Sequence, residues 1–177
     1  MSQAITYTID PAHSTAGFKV RHLMVSNVRG EFSKVTGTVV VDTGAPENSK
    51  VEARIDASTI HTRDEQRDAH LKSADFLDVE KFPEITFVSK KIKGKDGEWK
   101  VTGDLTIHGV TKEVTLDVEG PAPEVKDPWG NVKSGATAAT KISRKDFGMV
   151  FNMALETGGV MVGDEVTISL ELELLRS

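Results

Sequence analysis

No cysteine occurs in the 177 residues, and there are only one tyrosine and two tryptophans. Without cysteine there can be no disulfide, no thiolate nucleophile and no thiolate-ligated zinc or iron–sulfur cluster. Five histidines and the carboxylates remain for metal or acid–base work. Long apolar runs are also missing, since no segment approaches the roughly 20 residues with which a helix crosses a bilayer. Nor is charge of one sign concentrated: 22 Lys and Arg stand against 27 Asp and Glu, a formal charge of −5. That dispersed, slightly acidic balance lacks the basic surface of a nucleic-acid binder, and no nucleic-acid partner is expected. The amino-terminal MSQAITYTIDPAHS has neither a basic n-region nor a long apolar stretch, so a mature, cytoplasmic chain is the expectation. Residues 1–177 make one domain's worth of chain, long enough to bury a core unaided.

What is present is strand signal. Ile5, Tyr7 and Ile9 alternate with threonines, and Ala16, Phe18 and Val20 repeat the two-residue period after a break at Asp10 and Pro11. Further strands are predicted over Val35 to Val41, Lys50 to Asp56, around Ile85 and Phe87, over Trp99 to Ile107 and over Val114 to Val118. Gly37 and Gly103 interrupt two of them, marking tight curvature or a bulge. Pro121, Pro123 and Pro128 confine the next stretch to loop or edge. Val132 to Ile142 then reads as a long strand rich in Ala and Thr, whose small side chains leave room inside or admit a close neighbour. Val166 to Leu174 gives the clearest alternation and is expected to close the sheet, after a hairpin turn around Gly158, Gly159 and Gly163.

One segment departs from this period. Thr62 to Leu71 is predicted as a short helix, with Thr62 and Glu65 as its capping box, and Phe76, Leu77, Val79 and Phe82 continue it as an apolar crossover. About eight antiparallel strands with one helical crossover fit either a sandwich or a closed barrel. Closure would explain long strands without a blunted edge, and such a barrel is either filled or holds one ligand.

The candidate chemistry is sparse. The histidines have no metal-ligand spacing; His22, continuing the Phe18 and Val20 face, is either a donor to a ligand headgroup or a hydrogen-bonded rim residue. Arg63, Asp64, Glu65, Arg67, Asp68 and His70 are dense enough for an acid–base cluster, but helical spacing makes them mostly a solvated charged face. No serine sits in a nucleophile elbow. Met149, Phe151 and Met153 are adaptable cavity wall or plain core. A noncatalytic protein without cofactor or metal is expected.

Five stretches carry a family resemblance over almost the whole chain: IDPAHSTAGFKVRHLMVSNVRGEF from Ile9 to Phe32, RDEQRDAHLKSADFLDVEKFPEITFVS from Arg63 to Ser89, GDLTIHGVTKEVTL from Gly103 to Leu116, and the late FGM and VGDEVTISLELE. In order and spacing the chain resembles the YceI-like family of polyisoprenoid-binding proteins. The resemblance implies an all-β, lipocalin-like closed antiparallel barrel around an apolar cavity for an isoprenoid chain, such as a prenyl quinone or polyprenyl phosphate. Phe18, Val20 and Phe32 are then wall positions; Leu71, Phe76, Leu77 and Phe82 form the crossover and its adjoining wall or lid; Phe87 and Leu105 face inward; Phe147 and Met149 fall in the late matched region. Phe76–Leu77 stands where the family motif commonly carries two phenylalanines. His22, Arg63 or His70 would meet the headgroup at a polar rim. The expected partners are an isoprenoid lipid and, through a local patch near an opening, transiently a membrane; the chain itself is expected as monomer or homodimer. A structural or stress-related interaction module, or an isomerase or hydrolase of an apolar substrate, are the alternatives.

Overall fold

The structure is a computed structural model that describes residues 4–153, 155 and 161–177. Twelve strands follow in chain order: β1 (Ala4–Ile9), β2 (Thr15–His22), β3 (Ser26–Phe32), β4 (Val35–Asp42), β5 (Lys50–Asp56), β6 (Ile60–His61), β7 (Glu84–Lys95), β8 (Glu98–Ile107), β9 (Val110–Glu119), β10 (Val125–Lys126), β11 (Val132–Ser143) and β12 (Val162–Arg176). Among the described residues one α-helix, α1 (Glu65–Lys72), lies between β6 and β7. Eight strands close a ring in the order β11, β9, β8, β7, β5, β4, β1, β12, with β12 returning to β11. The fold is therefore an all-β closed antiparallel barrel with a short helical crossover, and the sandwich alternative is excluded.

β12 is the seam. Along one edge it pairs with β11 from Glu165 to Leu175. Along the other it pairs first with β2, from Val162 to Glu171, and then with β1, from Leu174 to Arg176. Its unbroken alternation of Val166, Ile168, Leu170, Leu172 and Leu174 with polar residues lets it do this, because a strand with one apolar face can serve two partners without changing face. The β2–β3 hairpin with β6 thus extends the barrel wall beyond the ring at one end.

β3 escapes sequence reading because Ser-Asn-Val-Arg-Gly-Glu-Phe carries little apolar period; its pairing with β2 from Ala16↔Phe32 to His22↔Ser26 makes it a strand. β7 runs past Val88 because a register shift between Ser89 and Lys91 resets its phase, turning Ile92 inward. Opposite that bulge, a side chain at Gly103 would collide with the Val88 carbonyl and the Phe87 ring, so both the bulge and the glycine bend one corner of the barrel.

The helix starts later than predicted, and its cap is Asp64, whose carboxylate accepts from the Gln66 and Arg67 amides at 3.1 Å. Thr62 instead turns inward and is buried: its amide and hydroxyl donate to Asp68 Oδ1 at 2.8 and 2.6 Å, and Arg67 Nε and Nη2 donate to its hydroxyl and carbonyl at 2.7 and 2.6 Å. Phe147, Leu174 and Val35 are the largest fully buried side chains among the described residues. The expected hairpin turn at Gly158 and Gly159 lies outside the described residues, and Met149 to Met153, in place of a strand, is irregular chain.

Candidate functional site

The inward faces of the barrel do not meet. They enclose a cavity of about 600 Å³ that runs from the α1 end, where Arg67, His70, Phe76 and Arg144 line it, to the end where Thr43, Pro46, Gly97 and Pro121 stand. That is within the usual range for a site holding one small amphiphile, about 300–1,000 Å³. The space exists because β11 presents Ala136, Ala138 and Thr140 inward where larger side chains would fill it.

Of the sequence-derived candidates, Phe18, Val20, His22 and Phe32 line the cavity from the β2–β3 hairpin. Leu71, Phe76, Leu77 and His70 line it from α1 and the crossover, and Phe87, Leu105 and Met149 complete the set. Three others stand elsewhere. Arg63 is exposed and has φ +66, because the inward turn of Thr62 and the capping by Asp64 throw the residue between them outward. Phe82 packs on Gly109 and edge-on against His108, ring centres 5.1 Å apart, beneath the crossover. Phe147 is buried behind the wall, where its carbonyl accepts from His108 Nδ1 at 3.1 Å.

Two arginines escaped the sequence reading of the cavity. Along the chain Arg67 reads as part of a solvated helix face, but Thr62 holds its guanidinium at the cavity end. Arg144 is 4% exposed and, among the described residues, donates only to backbone: Nε to Gly163 O at 2.8 Å, Nη1 to Met149 O and Phe151 O at 3.0 and 3.2 Å, and Nη2 to Val162 O at 3.4 Å. Burial pushes its pKa down, against the opposing charge of Asp164. Its guanidinium also sits 5.8 Å over the Phe76 ring. No local pattern marks such a residue, since its acceptors come from segments folded onto it. His70 completes this end: Nε2 bonds Asp75 at 2.8 Å, and the ring meets Phe76 and Phe151 edge-on at 5.0 and 4.9 Å.

At the opposite end the polar groups are tied to turns. Asp42 Oδ1 accepts from the Gly44 and Ala45 amides, Ser49 Oγ accepts from the Asp42 amide at 2.9 Å, and Trp99 Nε1 donates to Gly120 O at 2.8 Å. Nearby, on the inward face of β1 opposite Val39, the buried Tyr7 donates to Glu124 Oε1 at 2.7 Å and Arg176 pairs with the same carboxylate. Burial, then the bond to Glu124, pushes the Tyr7 phenol up to about 12.

Asp10, His13 and Glu173 bring three ligand-type atoms within 4.8 Å of one another on the outside. Their contacts are internal: His13 Nδ1 is 2.9 Å from Asp10, and Lys133 Nζ is 2.7 Å from Glu173. Lys133 thus already sets a positive charge against Glu173. Chemically, the cavity offers exclusion of water from a long apolar object, with donors at one end.

Known proteins are similar to this chain in sequence and in fold. A UPF0312 protein of Staphylococcus aureus (strain MSSA476) is 42% identical over 167 residues, 94% of this chain and 95% of its own. The crystal structure of the Campylobacter jejuni YceI protein is 32% identical and superposes with a TM-score of 0.73, covering 89% of this chain and 90% of that one. A polyisoprenoid binding domain from Saccharophagus degradans, implicated in plant cell wall breakdown, has the same fold at 14% identity, with a TM-score of 0.69 over 97% of this chain and 98% of that one. Residues 7–174, which take in the closed ring except the outer ends of β1 and β12, match the YceI-like domain, and the chain belongs to the YceI-like family.

Proposed function

We propose that this protein is a noncatalytic carrier of isoprenoid lipids, prenyl quinones or polyprenyl phosphates among them. The observation that carries the reading is the continuous apolar cavity along the barrel axis. Each methylene transferred from water to such a wall is worth about 0.8 kcal/mol, so a chain of several isoprene units gains enough to offset its ordering. The binding named for the Saccharophagus degradans domain agrees with this reading. In it the headgroup sits at the α1 end, where Arg67, His70 and His22 line the cavity and Arg67 Nη1 is not engaged among the described residues. Charge-assisted bonds from a guanidinium favour an anionic or carbonyl-bearing head.

The test is native mass spectrometry of freshly isolated protein, extraction of any released molecule, and then titration of delipidated protein with prenyl quinones and prenyl phosphates of several lengths. A stoichiometric prenyl lipid, or saturable binding that tightens with chain length, is the expected result. Failure of every prenyl compound to bind the delipidated barrel would overturn the carrier reading and leave an interaction module in its place.

A further inference from the structure

The outer face of the β2–β3 hairpin gathers three cations on this acidic chain, beside one carboxylate, Glu31, which bonds His61 at 2.9 Å. Lys19 stands directly opposite Arg29, and Arg21 follows on the same face of β2. Like charges in opposed strand positions repel. The lysine and arginine ion pairs among the described residues involve Lys90, Lys100, Lys133, Lys141 and Arg176, and none of these three. Arg21 is folded toward the hairpin tip, Nη2 donating to Met24 O at 3.0 Å.

The tip itself is unusual. Leu23 and Met24, the two central residues of the turn, have φ +52 and +63, and the Val25 amide closes the turn on His22 O at 3.2 Å. Such turns favour Asn-Gly, because large side chains resist positive φ. Here the two positions carry exposed apolar side chains, and Val25 beside them is 76% exposed. Backbone bonds join this tip to the irregular chain that carries exposed Met153: the Leu23 amide donates to Met161 O at 2.7 Å, and the Met161 amide to Met153 O at 2.8 Å. The inner face of the same hairpin, with Val20, His22 and Val28, lines the cavity. An exposed apolar tip flanked by unpaired cations is the combination that holds a protein to an anionic bilayer, the apolar groups entering the interface and the cations meeting lipid phosphates.

We propose that the β2–β3 hairpin tip, Leu23 to Val25 with Lys19, Arg21 and Arg29 behind it, docks this barrel on an anionic lipid bilayer. The docking stands on the hairpin alone; that cargo enters and leaves at this end rests on the carrier reading above. A membrane fits better than an acidic protein because the unpaired cations surround an apolar tip that is continuous with the cavity wall.

The test is co-sedimentation of the whole protein with vesicles of phosphatidylglycerol and phosphatidylcholine, against vesicles of phosphatidylcholine alone. Binding to the anionic vesicles at low ionic strength, lost near 1 M salt where screening acts over about 3 Å, is expected. Each neutralised cation should weaken it about fivefold, so K19Q/R29Q loses about 25-fold. L23N/M24G supplies the residues the turn favours, so the barrel should melt no lower than the parent while vesicle binding falls at least about tenfold. Absence of parent binding, equal binding to both vesicle types, or binding undiminished in both variants would overturn the docking. Prenyl-lipid titration of the same samples without vesicles separates the two readings: prenyl binding without docking removes this proposal alone, and docking without prenyl binding removes the carrier alone.

Discussion

The two ends of the cavity are finished in different ways. At the α1 end the polar groups are cationic or imidazole, and they are held by long-range bonds: Arg144 to four carbonyls, Arg67 to Thr62, His70 to Asp75. At the other end they are a carboxylate, a hydroxyl and an indole, each satisfied by backbone of a neighbouring turn. The apolar wall between them is similar throughout, so the wall gives affinity without direction. On the carrier reading proposed above, the ends would supply direction, because an amphiphile with an acceptor-rich head gains most where donors remain.

The largest effect that would break this contrast is at Arg144. Replacing it by Met leaves the buried Met149 carbonyl and the half-buried Phe151 and Gly163 carbonyls without their donor, a cost of about 3 kcal/mol and a melting temperature lower by about 6–12 °C. An unchanged calorimetric melt would mean that the arginine does not hold this end together. Next comes the wall. Ala138→Leu fills part of the space that β11 leaves, and long prenyl chains should lose about 2 kcal/mol of affinity in titrations while the shortest lose least. Equal loss at every length would show that Ala138 does not limit the tunnel. Phe76→Leu keeps the crossover apolar but removes the ring from the cluster with His70 and Phe151, and cargo release measured by fluorescence displacement should quicken about fivefold, a cost of about 1 kcal/mol. Unaltered release would assign the gate elsewhere.

The smallest effect belongs to the far end. The folded Tyr7 phenol titrates at about 12 against an ordinary 10.0, so its contribution is whole below pH 10 and is lost as pH rises through the folded value. Tyr7→Phe should cost under about 1 kcal/mol at neutral pH and flatten the alkaline fall in urea midpoint that the parent shows. An equally steep fall in the variant would assign that limb to another group.

The strands that sequence revealed most clearly, β5, β8, β9 and β12, have one face in the barrel and one in water, and alternation is the direct record of that. β3 was hidden because neighbours, not its own period, make it a strand, and the continuation of β7 was hidden by a bulge that resets the phase. Among site residues, apolar positions on regular strands such as Phe18, Phe87 and Leu105 were legible for the same reason. Phe82 and Phe147 were equally apolar and equally well placed in the family pattern, yet they pack behind the wall, since an aromatic side chain carries no signal distinguishing cavity from core. Arg63 and Arg67 were indistinguishable along the chain until one turn of backbone sent the first outward and tied the second to Thr62.

By itself, then, the sequence determined the strand-rich class, the single helical crossover and the inward apolar faces, because these follow from local period and from turn chemistry. Only the tertiary structure decided closure, the empty space along β11 and the identity of the groups at each end of it. Those depend on pairings such as β12 with β11, on bonds such as Arg144 to Gly163, and on the angle at which Thr62 enters α1, all of which join residues whose proximity exists only once the chain has folded.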